Sequence, residues 1–185
     1  MIDKPKRYAE WLKFVFNHPH DRDWYFSLHK STDFRASHQE LVRLITATCI
    51  YCGTDLRSYS NAEVKDGIAY IFNNSCSDVI FAMMDEQVAI QQRLEAIHAI
   101  KLLYKDCFEV RCTATLISGV GKGANPLNEI CFMLWDVMPF TNWNKSAHKT
   151  ALYDAAVDVL EYALTLSNPA CKESALHGLG HMLIY

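Results

Sequence analysis

The chain has 185 residues, 50% of them hydrophobic and 12% aromatic, with 18 Lys+Arg against 21 Asp+Glu and a formal charge of −3. A composition this apolar excludes a disordered chain, and the slightly acidic balance argues against a nucleic-acid partner. No run of about 18 apolar residues occurs, so neither a spanning helix nor a membrane partner is expected.

Periodicity is helical almost throughout. Tyr8, Trp11, Leu12, Val15 and Phe16 form one apolar stripe, with Pro5 in a first turn capped by Asp3. His18-Pro19 ends that helix. Ser37 and Glu40 form a capping box ahead of Leu41, Leu44, Ile45, Thr48 and Cys52, with Gly53 read as the stop. Ser60 and Glu63 form a second box, opening a helix that ends at Asn73-Asn74. A short helix is expected over 78–84 and a long one over 85–104. Residues 107–123 read as irregular structure or a short helix. Asn125-Pro126 caps a helix running to about Asp136. A further helix spans about 146–166, and Asn168-Pro169 opens the last one. Its end, Met182 to Tyr185, is apolar and uncapped, so it is expected either to dock into the core or to lead into a further helix of the stack, the second being the favoured reading.

Short connections imply antiparallel helix pairs. Ala96-Ile97-His98-Ala99-Ile100 is echoed by Ala175-Leu176-His177-Gly178-Leu179, at a spacing close to two units of about 40 residues. The segment from Asn168-Pro169 through Lys172 and Ala175 to Leu179-Gly180 resembles the second helix of a HEAT-like repeat. That resemblance implies an all-α fold of antiparallel pairs in a HEAT/armadillo-like α–α superhelix; an irregular helical bundle is the alternative. Residues 1–185 are expected to form one domain of seven or eight helices.

Glu173, His177 and His181 lie at i, i+4 and i+8 and form one stripe, with spacing suited to zinc or iron. His98 or His20 are candidate additions, although a solvated polar face gives the same pattern. Cys49-Ile50-Tyr51-Cys52 sits near a helix C-terminus, the wrong end to activate a thiol. Ser118 to Ala124 lacks the spacing of a phosphate loop. The N-terminal aromatics pack as a cap on the first repeat or offer Phe14 and Trp24 to a protein partner. Asp154, Asp158 and Glu161 form an acidic face suited to a basic partner.

Seven cysteines, an odd number, and no apolar leader after Met1 to Arg7 indicate a cytoplasmic setting. The expected role is a protein-interaction module without catalysis or cofactor, oligomerising through the apolar C-terminal helix. The alternatives are a metal-dependent enzyme built on Glu173, His177 and His181, and a small inhibitor or immunity-type protein that covers a basic target.

Overall fold

A complete capping box, a serine cap and two Asn-Pro entries fix where four of the helices begin. The computed structural model describes residues 3–19, 23–26, 34–117, 125–140 and 146–184, and among these it contains helices and no strand. Helix α1 spans Tyr8–Phe16 and α2 spans His38–Asp55, where Ser37 accepts the Glu40 amide at 3.2 Å. Helix α3 is Asn61–Phe72, and both halves of its Ser60–Glu63 box are formed. A 3-10 turn covers Val79–Met84. Helix α4 runs Ile90–Leu103, passes through a π-helical turn at Tyr104–Phe108, and ends in the single turn α5, Glu109–Arg111. Helices α6 (Pro126–Val137), α7 (Lys149–Leu164) and α8 (Pro169–Ile184) complete the chain.

Three boundaries differ from expectation for physical reasons. Helix α1 starts at Tyr8, because the Tyr8 amide closes a turn on the Pro5 carbonyl and no side chain caps it. The helix expected from residue 85 starts at Ile90, since the Asp85 carboxylate takes the Gln87 amide and turns the chain. Gly53 does not stop α2; it lies inside the helix, where a Cβ would stand 2.9 Å from the Asp106 Cβ. It is a close-approach glycine rather than a terminator.

The main packing partners are α2 with α4, α4 with α7, α7 with α8, α8 with α6, α6 with α3, and α3 with α1. They enclose one contiguous core that includes Trp11, Ile45, Ile100, Tyr104, Leu134 and Leu160, all fully buried. Burying each such side chain contributes about 1.5–3 kcal/mol. Arg93 is also fully buried, and is tolerated because it donates to the Met83 carbonyl at 2.8 Å and pairs with Glu86 at 3.0 Å. No described helix is long and apolar enough to cross a membrane.

Candidate metal centre

The α6–α8 contact is built around small residues. Gly178 of α8 is buried, and a Cβ there would stand 2.8 Å from the Trp135 ring and 2.6 Å from Leu160. Only glycine lets α6 and α7 approach α8 this closely. Beside it, a buried chain of polar groups fixes the register. The Trp135 indole N–H donates to the Tyr104 hydroxyl at 2.9 Å, and that hydroxyl lies 2.6 Å from Ser174 Oγ. Ser174 in turn donates to the Cys131 carbonyl. Because the serine proton is committed to the carbonyl, the phenol donates to the serine, and every member of the chain is satisfied. Burial holds the Tyr104 phenol far above its ordinary pKa, so its proton stays in place.

This register sets Asp136, next to Trp135, opposite His177, next to Gly178. Asp136 Oδ1 lies 2.8 Å from His181 Nε2, and Oδ2 lies 3.9 Å from His177 Nε2. The two Nε2 atoms are 3.2 Å apart. Donor atoms bound to one ion at about 2.0–2.2 Å, with angles between octahedral and tetrahedral, stand about 3 Å from each other. The nitrogen pair and the Oδ1–His181 pair match that spacing. The His177 and His181 rings meet nearly at right angles, 82° at 4.7 Å, so their Nε2 atoms converge from different directions. Phe132 stacks on His177 at 4.3 Å and holds its ring plane.

Asp136, His177 and His181 are the one group of three metal-ligating side chains that converges in this way among the described residues. Their side chains are 31%, 30% and 29% exposed, so solvent reaches the point where they meet. Two imidazole nitrogens facing each other at 3.2 Å share one proton at most. A cation in place of that proton satisfies both lone pairs and the carboxylate together.

The stripe expected from the sequence is therefore brought together in part. His177 and His181 meet, but Glu173 turns away and accepts the Ile117 amide at 2.7 Å, holding the segment after α5. Asp136 stands where Glu173 was expected. One local signal marks it: it is the penultimate residue of α6, where the helix dipole disfavours a carboxylate. His98 lies 3.1 Å from Asp158 on the α4–α7 face and does not join the cluster, and His20 lies outside the described residues.

The other candidates separate clearly. Trp24 is 2% exposed, stacked on His18 at 4.1 Å and edge-on to Phe14 at 5.3 Å. Phe14 also packs on Tyr70. Trp24 thus belongs to the core, which corrects its expected place on a partner surface; Phe14 is packed against the same core. Asp154 and Glu161 are exposed. Asp158 pairs with Lys101 and His98, and the Lys101 ammonium holds its carboxyl below the ordinary value. Cys49 and Cys52 are buried, and burial raises both thiols well above their usual pKa. The loop at Ser118 to Ala124 lies outside the described residues. Comparison of the chain with family models, curated proteins and solved structures returns no match.

Proposed function

We propose that this protein binds a divalent transition-metal ion through Asp136, His177 and His181, and that the ion serves a metal-dependent activity. The observation that carries the reading is the convergence of three ligand atoms of the right types at spacings of 2.8, 3.2 and 3.9 Å. Two histidines and one carboxylate suit Zn(II) in a catalytic site and Fe(II) in a facial triad. Three protein ligands leave coordination positions open, and the partial exposure of the site directs those positions to solvent. A bound ion supplies Lewis acidity to water or substrate there. Calorimetric titration of metal-free protein with Zn(II), and anaerobically with Fe(II), tests the reading. One site per chain, lost in His177→Ala and His181→Ala, is expected; no saturable heat with either ion overturns it.

We read the helix arrangement as an irregular bundle rather than a HEAT/armadillo-like superhelix. In a solenoid each unit touches only its neighbours, whereas α6 packs on α3 and α8, and α4 packs on α7. The α7–α8 hairpin is the part most like a repeat pair. A second functional reading, a protein-interaction module, is favoured by one feature: Leu176 and Leu183, seven residues apart on α8, are 62% and 86% exposed. If that ridge mediates self-association, sedimentation velocity shows a concentration-dependent oligomer that Leu176→Glu with Leu183→Glu abolishes. A monomer at all concentrations removes the self-association reading.

A further inference from the structure

A second site of different chemistry lies where α1 meets the C-terminal turn of α2. Tyr8 and Tyr51 form two adjoining walls, with ring centroids 6.3 Å apart and planes tilted by 59°. In the corner that the two rings make sits the Lys4 ammonium, 4.6 Å from the Tyr51 ring and 5.4 Å from the Tyr8 ring. Asp55 closes the third side, its Oδ2 2.7 Å from the same ammonium. Two aromatic faces and a carboxylate around one cation are the elements of an ammonium cage.

The walls are built independently of Lys4. Tyr8 is 4% exposed and its hydroxyl donates to the Ala47 carbonyl at 3.2 Å. Tyr51 and Asp55 stand one turn apart on α2. Asp55 is the last residue of that helix, where the dipole disfavours an anion and a cation compensates. Its Oδ2 is buried, with the Lys4 ammonium against it. Lys4, by contrast, belongs to the segment leading into α1, and its side chain is 46% exposed. Two clefts each include one residue of the cage. Lys4 lines one of about 690 Å³ with Ser37, Glu40 and Arg43, and Tyr51 lines another of about 560 Å³ with Arg57 and Arg111.

We propose that Tyr8, Tyr51 and Asp55 form a binding site for an alkylammonium group, and that Lys4 occupies it as an internal, displaceable ligand. The shared chemistry covers a free alkylammonium metabolite and a lysine or methylated lysine on a peptide. This site is independent of the metal centre and stands or falls separately.

The test titrates the full chain with n-butyltrimethylammonium, its uncharged tert-butyl isostere, and a short peptide bearing trimethyl-lysine, following the Tyr8 and Tyr51 ring signals by NMR. Wild type is expected to bind the cation weakly, with the Lys4 side-chain signals shifting as it is displaced. Lys4→Ala is expected to bind at least tenfold more tightly, and Lys4→Ala with Asp55→Asn to lose that gain. Tighter binding of the peptide than of the free cation assigns the site to a protein ligand; the reverse assigns it to a small molecule. The proposal is overturned if the isostere binds as well as the cation, or if Asp55→Asn leaves affinity unchanged. Absence of saturable binding both to wild type and to folded Lys4→Ala overturns it as well.

Discussion

Asp136 is a carboxylate in an unfavourable place. A negative charge in the last turn of a helix faces the negative end of the dipole, and the two histidines alone compensate it only when one is protonated. A divalent ion removes both difficulties. Asp136→Asn keeps the shape and removes the charge; we expect it to weaken metal binding by more than the about 10–100-fold that loss of an outer partner costs. Glu173→Gln, by contrast, is expected to leave metal affinity within about twofold, because Glu173 is committed to the Ile117 amide. Metal binding requires unprotonated imidazoles and competes with protons for them, so affinity should fall as the pH is lowered. Calorimetry at pH 8, 7 and 6 measures all three.

The pattern that revealed His177 and His181 was local, four residues on one helix. Asp136 was not legible beside them, because its partnership depends on how α6 seats against α8, and no periodicity encodes that. Glu173 was the natural third ligand on one helix; the loop amide it accepts lies on another segment and has no trace in its own sequence neighbourhood. Glu109 gives a residue-scale check on the architecture. Burial raises its pKa, but the Ser167 hydroxyl and the Ser167 and Asn168 amides outweigh that and the carboxyl is held below its ordinary value. A depressed folded-state pKa means that the contribution is present above about pH 4.3 and is lost as pH falls through the folded value. Glu109→Gln should therefore cost about 1 kcal/mol at pH 7, and less below pH 4, in urea unfolding.

At the scale of elements, the glycines of α8 make opposite predictions from identical chemistry. Gly178→Ala drives a methyl into Trp135 and Leu160, and overpacking of this kind costs about 1–3 kcal/mol. It also separates α6 from α8, so metal affinity should fall although no ligand is changed. Gly180 has open space around its Cβ position, so Gly180→Ala should stabilise the protein by up to about 1 kcal/mol through helix propensity. Thermal unfolding of both variants distinguishes these signs. Tyr104→Phe would strand the Trp135 N–H in the core, for about 1–3 kcal/mol. The helix starts with side-chain caps were legible, because Ser37, Ser60, Asn125 and Asn168 satisfy amides within a few residues. The π-helical turn was not, since it depends on fitting Tyr104, Cys107 and Phe108 into a core that distant helices supply. Gly53 shows the same limit: its sequence context fits a stop, and its contact with Asp106 decides otherwise.

At the scale of the whole molecule, the packing order rests on contacts between helices that the pattern of a single helix does not carry. The Asn168 to Gly180 pattern describes how one helix enters and presents its face, whereas neighbours along the core are chosen by complementary surfaces such as Gly178 against Trp135. The proposed ion ties α6 to α8 across that contact, so it stabilises the native state by mass action, about 2.7 kcal/mol at one hundred times Kd. The measurement that tests this most directly is the metal content of protein purified from Zn- and Fe-supplemented cells, determined by plasma mass spectrometry beside the His177→Ala, His181→Ala double variant. The account predicts about one equivalent of Zn or Fe per chain in the wild type and a content near background in the folded double variant. A wild type without stoichiometric metal, or a double variant that retains it, would contradict it.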